Sequence, residues 1–201
     1  LGRAAIDMGI LVIMDAKRGD IGSTSTAYAN AWIGHNATFP SDALTVNPWL
    51  GIDTLSPFLA RADATFSGLF VLNRTSNDGA GDLQGQMVDG APLYTHLASI
   101  LAPLAAARVG DSGISSLGIV AAATWPDDAK SLRGALPHAP FLVPGFGAQG
   151  ASGEMATSGL VRGAFGWEGG VVNSTRGLIF AKKAANATSL VDWHAEIEST
   201  I

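Results

Sequence analysis

Short apolar segments alternate with helix-forming segments along this chain. They recur at intervals of roughly 25–45 residues, which is typical of successive βα units in a parallel sheet. The predicted strands are Ile10–Met14, Ala43–Val46, Gly68–Leu72, Leu117–Ala121, Pro140–Val143 and Gly170–Val172. The predicted helices are Ala27–Ile33, Ile52–Ala60, Leu93–Arg108, Asp127–Gly134, Glu154–Gly163, Arg176–Ala187 and Leu190–Ile201. The pattern therefore predicts an α/β fold with six βα units.

The composition is that of one globular domain over residues 1–201. Hydrophobic residues make up 47% of the 201 residues and charged residues 14%, enough apolar content for a sizeable core. The net charge of −5 gives no reason to expect a nucleic acid or an anionic membrane as partner. The absence of cysteine excludes disulfides and thiolate chemistry, and the four histidines lack the spacing of metal ligands.

Two opposite charges, Asp15 and Lys17, end the first predicted strand. Alternate residues of a strand share a face, so both should lie on the same side as Ile13. Charges at the end of a buried strand are costly to desolvate unless they are paired. A purely structural salt bridge is one interpretation. A third charge at Asp20, followed by Gly22 and a Ser/Thr-rich helix start, favours a functional site.

Most of the predicted strands lead into polar or glycine- and proline-rich segments. In (β/α) barrels such segments, at the carboxyl ends of the strands, build the active site. A lysine beside carboxylates keeps its proton, because opposite charge favours the ammonium form, and it can then donate that proton. A substrate carboxylate near Asp15 would be repelled by about 4 kcal/mol at 4 Å and an effective dielectric of about 20. Loss of that group as CO₂ would relieve the repulsion, which is coherent chemistry for a decarboxylation without a cofactor.

The run Asp15-Ala16-Lys17-Arg18-Gly19-Asp20-Ile21-Gly22 resembles the signature of orotidine 5′-monophosphate decarboxylases, in particular the bacterial, mycobacterial-type branch. The resemblance implies a phosphate-binding (β/α)8 TIM barrel that converts orotidine 5′-monophosphate to UMP in pyrimidine biosynthesis, in the cytoplasm and with no cofactor. It implies that Asp15 and Lys17 belong to a Lys-Asp-Lys-Asp array in which Lys17 is the proton donor. It also implies a homodimer in which Asp20, Ile21 and Thr24 reach the site of the neighbouring subunit.

Three further segments resemble motifs of the same family. Thr75-Ser76-Asn77 resembles the loop whose serine, here Ser76, contacts the pyrimidine. Pro144-Gly145-Phe146-Gly147-Ala148-Gln149-Gly150 resembles a loop in which Pro144 borders the base and Gln149 binds base and phosphate. Arg176, after the last predicted strand, corresponds to the phosphate-binding arginine. Many relatives have glycine before this arginine, where this chain has Thr175.

The resemblance begins at the third barrel strand of the family, so the barrel is expected to be incomplete. The first two strands would supply a ribose-binding aspartate and the first lysine of the array. We therefore expect weak or no activity from residues 1–201 alone. Two alternatives stay open: a Mg²⁺-dependent sugar-phosphate decarboxylase or aldolase of the same superfamily, and an inactive remnant that binds UMP-like ligands.

Overall fold

A single parallel sheet of six strands forms the centre of the computed structural model, which describes residues 1–179 and 184–199. Neighbouring strands in the sheet are also successive along the chain, as in a (β/α) barrel. The predicted α/β class and the six βα strands are confirmed. The strands are β1 (Ile13–Arg18), β2 (Ala43–Val46), β3 (Gly68–Arg74), β4 (Leu117–Ala121), β5 (Phe141–Val143) and β6 (Gly170–Val172).

The first strand lies further along the chain than the sequence predicts. Pairing with β2 begins at Ile13, while Ile10 and Leu11 are exposed. The backbone N–H of Val12 donates to a side-chain oxygen of Asp42 instead of entering the ladder. The consequence is that Asp15 and Lys17 lie inside β1, in its carboxyl-terminal half.

The described residues also form nine α-helices, several of which bury apolar side chains against the outer face of the sheet. They are α1 (Gly2–Asp7), α2 (Gly22–Trp32), α3 (Ser56–Thr65), α4 (Ala80–Leu83), α5 (Leu93–Ala106), α6 (Pro126–Ala135), α7 (Gly153–Thr157), α8 (Thr175–Ile179) and α9 (Leu190–Glu198), with 3-10 turns at Ile52–Leu55 and Ala184–Asn186. The predicted helix Arg176–Ala187 includes residues 180–183, and the predicted helix Leu190–Ile201 includes residues 200 and 201. Those six residues lie outside the described part of the chain.

The predicted helix Glu154–Gly163 is wrong beyond Thr157. The chain turns there and forms an antiparallel hairpin of Val161–Gly163 and Gly166–Glu168. Gly159 lies so close to the sheet that a β-carbon would come within 3.1 Å of the Phe141 ring and 3.0 Å of Ala129. A second hairpin, Met87–Val88 with Ala91–Pro92, follows α4 and was not predicted.

The core has two layers because the sheet is apolar on both faces. The outer layer packs Leu44, Leu69, Leu117 and Phe141 against the helices, as expected for a buried parallel sheet. The inner layer is smaller and consists of Ile13, Ala43, Phe70, Leu72, Val120 and Leu142. Four of these inner side chains, Ile13, Leu72, Val120 and Leu142, form the floor of a cavity at the carboxyl ends of the strands. Among the helices described, none is both long and apolar enough to span a bilayer.

Candidate active site

A cavity of about 760 Å³ opens at the carboxyl ends of the six strands. Its floor is the part of the inner apolar layer formed by Ile13, Leu72, Val120 and Leu142, and its walls are the segments that follow β3, β5 and β6. Six of the predicted site residues line it: Asp15, Lys17, Ser76, Pro144, Gln149 and Arg176. The sheet therefore brings residues separated by up to 161 positions around one space, as expected for the strand ends of a barrel.

Asp15 and Lys17 form an ion pair, with Nζ of Lys17 2.6 Å from Oδ2 of Asp15. Both lie on the cavity side of β1 together with Ile13, as the alternation of the strand predicts. Their side chains are 59% and 50% exposed, so the pair lies at the cavity mouth. The desolvation cost inferred from the sequence is therefore largely avoided in this open cavity.

Thr45 on β2 connects these two charged residues, and sequence reasoning missed it. Its hydroxyl donates to Oδ1 of Asp15 at 3.0 Å and accepts the backbone N–H of Lys17 at 2.9 Å. The available signal was a lone polar residue in the otherwise apolar strand Ala43–Val46.

The loop that carries Ser76 is fixed on both sides of the serine. Gln84 accepts the backbone N–H of Thr75 at 2.9 Å and donates to its hydroxyl at 2.8 Å. That hydroxyl in turn donates to Oδ1 of Asn77 at 2.7 Å. The indole N–H of Trp125 donates to the carbonyl of Thr75 at 3.1 Å. Gln84 also lines the cavity and was not identified from the sequence.

A buried ionic cluster supports this loop from below. Arg74, only 5% exposed, ends β3 and donates through Nε to Asp128 at 2.8 Å. Its Cζ lies 3.9 Å from the centre of the Trp125 ring, a cation–π contact. The hydroxyl of Tyr94 donates to the other oxygen of Asp128 at 2.9 Å. Burial, together with the adjacent Asp128 carboxylate, raises the pKa of Tyr94, so the phenol keeps the proton that this contact needs.

The loop Pro144–Gly150 forms another wall of the cavity. Gly145 has φ of +102°, and a β-carbon there would meet Cγ2 of Thr124 at 3.2 Å, Oε1 of Gln149 at 3.4 Å and Cβ of Ser76 at 3.4 Å. Glycine thus allows this loop and the Ser76 loop to pack together. Backbone bonds from Gly147 to Ala151 and from Gly150 to Gly147 close the turn.

Arg176 lies in α8, directly after β6, on the opposite edge of the sheet from β1. Of the described residues that line the cavity, only Asp15, Lys17 and Arg176 are charged. The positive charge of Arg176 therefore lies across the cavity from the Asp15–Lys17 pair. Asn173, Ser174 and Thr175 line the wall beside it with polar groups.

Asp20, Ile21 and Thr24 do not line the cavity of their own chain. They lie at the start of α2, where the Asp20 carboxylate accepts the backbone N–H of Ile21 at 2.8 Å. Ile21 is 62% exposed, and Trp49, which follows β2, is 65% exposed. The prediction that these residues serve a neighbouring subunit stays a prediction.

Comparison with known proteins agrees with this arrangement. The family model described as "Orotidine 5'-phosphate decarboxylase / HUMPS family" matches residues 1–190. The chain belongs to this family. The resemblance inferred from the motifs is thereby confirmed at the level of the family.

Relatives in sequence carry the decarboxylase name. The chain is 45% identical over 180 residues to an orotidine 5′-phosphate decarboxylase of Rhodopirellula baltica, and 45% identical over 179 residues to one of Haloarcula marismortui. Each match covers 87% of this chain and 58% of the relative, so the chain spans well under two thirds of these relatives' length.

A solved structure shares the fold. The OMP decarboxylase of Leishmania donovani superposes with a TM-score of 0.71 at 32% identity, over 98% of this chain and 68% of that one. The sheet of six parallel strands therefore corresponds to part of a decarboxylase-type TIM barrel, which confirms the predicted fold class.

Proposed function

We propose that this protein decarboxylates orotidine 5′-monophosphate to UMP, with Lys17 as the proton donor. The observation that carries the proposal is that one cavity holds the Asp15–Lys17 ion pair together with Ser76, Gln149 and Arg176. The names of the curated relatives support the same reaction.

The chemistry of the cavity suits a substrate with two anionic ends. The guanidinium of Arg176 matches a phosphate, since its planar donors bind phosphate oxygens in pairs. The hydroxyl of Ser76 and the amide of Gln149 suit the alternating donors and acceptors of a pyrimidine. The substrate carboxylate would then lie at the Asp15–Lys17 pair on β1, where the Asp15 charge repels it.

The reaction needs no electron acceptor. The bond between C6 and the carboxylate breaks, its electron pair stays on C6 and CO₂ leaves. A proton then passes from Nζ of Lys17 to C6, which gives UMP. Asp15 stabilises the ammonium form of Lys17 before the transfer, and its charge favours departure of a neutral product.

A homodimer with shared sites is part of the proposal. Asp20, Ile21 and Thr24 lie outside their own cavity, and the exposed side chains of Ile21 and Trp49 give the same rim apolar surface. We assign Asp20 to the charge array of the neighbouring subunit. The run Asp15–Gly22 further supports a mycobacterial-type bacterial branch, and a role in UMP biosynthesis implies a cytoplasmic enzyme.

The deciding experiment follows the loss of orotidine 5′-monophosphate absorbance, with Lys17→Ala and Lys130→Ala variants compared. Lys130 forms an exposed surface pair with Asp127, so its loss should leave turnover unchanged. Turnover that survives EDTA and disappears only in Lys17→Ala supports the proposal. Turnover that EDTA abolishes supports the Mg²⁺-dependent alternative. UMP binding by calorimetry without turnover indicates a nucleotide-binding protein that lacks the catalytic step.

Sharing of sites is tested by mixing two inactive variants, Lys17→Ala and Asp20→Ala. A mixed dimer contains one site with both residues intact, so activity should reappear on mixing. No recovery, together with a monomeric mass in sedimentation velocity, would refute the shared site.

A further inference from the structure

Three residues of β1 oppose a single residue of β2 in the middle of the site. Met14 pairs with Leu44 and Arg18 pairs with Val46, so Asp15, Ala16 and Lys17 share Thr45 as their only counterpart. The ladder of backbone hydrogen bonds is interrupted at this bulge. The backbone groups of β1 must therefore find other partners here.

The hydroxyl of Thr45 supplies one of those partners and also contacts a side chain of β1. It accepts the N–H of Lys17 at 2.9 Å and donates to Oδ1 of Asp15 at 3.0 Å. The carbonyl of Met14, at 3.5 Å, is the more distant acceptor, and a carboxylate is the stronger one. Thr45 itself is fully buried, although the Asp15 carboxylate that it contacts is partly exposed.

Lys17 has a backbone conformation that requires such support. Its φ is +50°, in the left-handed region that residues with a β-carbon seldom adopt. This conformation is part of the bulge and directs the side chain toward Asp15 at the cavity mouth. The Lys17 N–H donates to the buried Thr45 hydroxyl, and this hydrogen bond holds the backbone of Lys17 directly.

We propose that Thr45 is a positioning residue that holds Lys17 and Asp15 in register for proton transfer. The role rests on the proposed decarboxylase function, because it assigns Lys17 as the donor. One hydroxyl reaches both partners of the ion pair, through the backbone of the lysine and the side chain of the aspartate. A small displacement of either charge would separate the ammonium from the substrate carbon.

The test compares Thr45→Val, which keeps the shape but removes the hydroxyl, with Thr45→Ser, which keeps the hydroxyl. The matched control is Ser115→Ala. Ser115 is a buried hydroxyl with the same pattern, donating to the Ala105 carbonyl and accepting the Leu117 N–H, but it lies before β4 at the other end of the sheet. Thermal unfolding of all variants measures the purely structural cost.

Two readouts separate positioning from stability. In Thr45→Val, the amide hydrogen of Lys17 should exchange at least about tenfold faster, since its acceptor is gone. The kcat should fall by about tenfold or more with KM within about twofold, as expected when only the chemical step is disturbed. Thr45→Ser should restore both values. Ser115→Ala should change neither, even where it lowers the melting temperature.

The outcomes also distinguish this inference from the proposed function. Protection of the Lys17 amide in Thr45→Val equal to that in the unmodified protein overturns the positioning role, whether or not the protein turns over substrate. Faster exchange with unchanged kcat also overturns it. Weak or absent turnover in the unmodified protein bears on the proposed function alone, and the exchange of the Lys17 amide still decides whether Thr45 holds the Lys17 backbone.

Discussion

Gln84 holds Thr75 through two hydrogen bonds, one to its backbone and one to its side chain. Its Oε1 accepts the Thr75 N–H at 2.9 Å, and its Nε2 donates to the Thr75 hydroxyl at 2.8 Å. Since Ser76 is the next residue, the position of its hydroxyl in the cavity depends on an amide nine positions away from Thr75. The loop and α4 thus form one unit.

Gln84→Ala is expected to weaken UMP binding by up to about thirtyfold, since two hydrogen bonds near 1 kcal/mol each are lost. Calorimetric titration with UMP measures this. The matched control is Gln86→Ala, because Gln86 is two positions away and its exposed side chain donates to the carbonyl of Gly81 and not to the Ser76 loop. Equal effects from both variants would contradict a specific role for Gln84.

Gly145→Ala is expected to weaken UMP binding by more than the strain of an alanine at positive φ would cause. A β-carbon would press on Gln149, Ser76 and Thr124 at 3.2–3.4 Å, which forces the two loops apart. Gly150→Ala is the control, because Gly150 also has a positive φ, +91°, but no atom lies within 4 Å of the added carbon. The difference in UMP affinity between the two variants isolates the close packing. No difference would mean that the contact is unimportant.

Much of the fold and most of the cavity follow from local sequence. The apolar runs of β2 and β4 predict their bounds correctly because strands buried on both faces need continuous hydrophobic residues. The residues after β3, β5 and β6 could be placed at one end of the sheet, since parallel strands all point the same way. Their side chains do line a common cavity.

The bulge at Lys17 and the role of Thr45 could not be predicted in this way. Asp15, Ala16 and Lys17 lie opposite Thr45, which is about 30 positions away in the sequence. Nothing in either segment indicates that three residues of one strand will face one residue of the other. The hairpin at Val161–Glu168 was missed for a similar reason. After α7 ends at Thr157, Gly159 passes the Phe141 ring too closely for a β-carbon, and that contact is tertiary.

Asp42 should give the fold an acid-sensitive stability. Although burial raises its pKa, hydrogen bonds from His35 and from the Val12 N–H outweigh this effect and lower the pKa below 3.8. A carboxyl group with a lowered pKa stabilises the fold above the pKa of the unfolded chain, and this contribution is lost as the pH falls through the folded value. Asp42→Asn should therefore reduce the free energy of unfolding by about 1 kcal/mol at pH 7.

Chemical denaturation between pH 7 and pH 2.5 measures this contribution. The stabilities of the unmodified protein and of Asp42→Asn should converge as the pH approaches the lower end. Asp111→Asn, at an exposed position, serves as the surface control. A constant difference across the range would show that Asp42 acts through packing and not through its charge.

Arg133 joins α6 to the segments before β5 and β6. Its guanidinium donates to five carbonyls at 2.7–3.1 Å and lies 3.8 Å from the centre of the Phe141 ring; the carbonyls belong to Leu136, Pro137, Ala139, Gly159 and Gly169. Burial lowers its pKa to about 10, which leaves it charged at neutral pH. A lysine ammonium has three donors and no planar fork, so it cannot replace this arrangement.

Arg133→Lys is therefore expected to reduce the free energy of unfolding by about 2–4 kcal/mol, since several buried carbonyls lose their partner. Denaturant unfolding followed by tryptophan fluorescence measures the loss. Arg61→Lys is the matched control, because the side chain of Arg61 makes a single bond, to the carbonyl of Ile33 at 3.2 Å. The carbonyls held by Arg133 include that of Gly169, which precedes β6 and hence Arg176. If Arg133→Lys weakens UMP binding and Arg61→Lys does not, Arg133 supports the phosphate side of the cavity. If the two variants bind UMP equally well, Arg133 contributes to the stability of the fold alone.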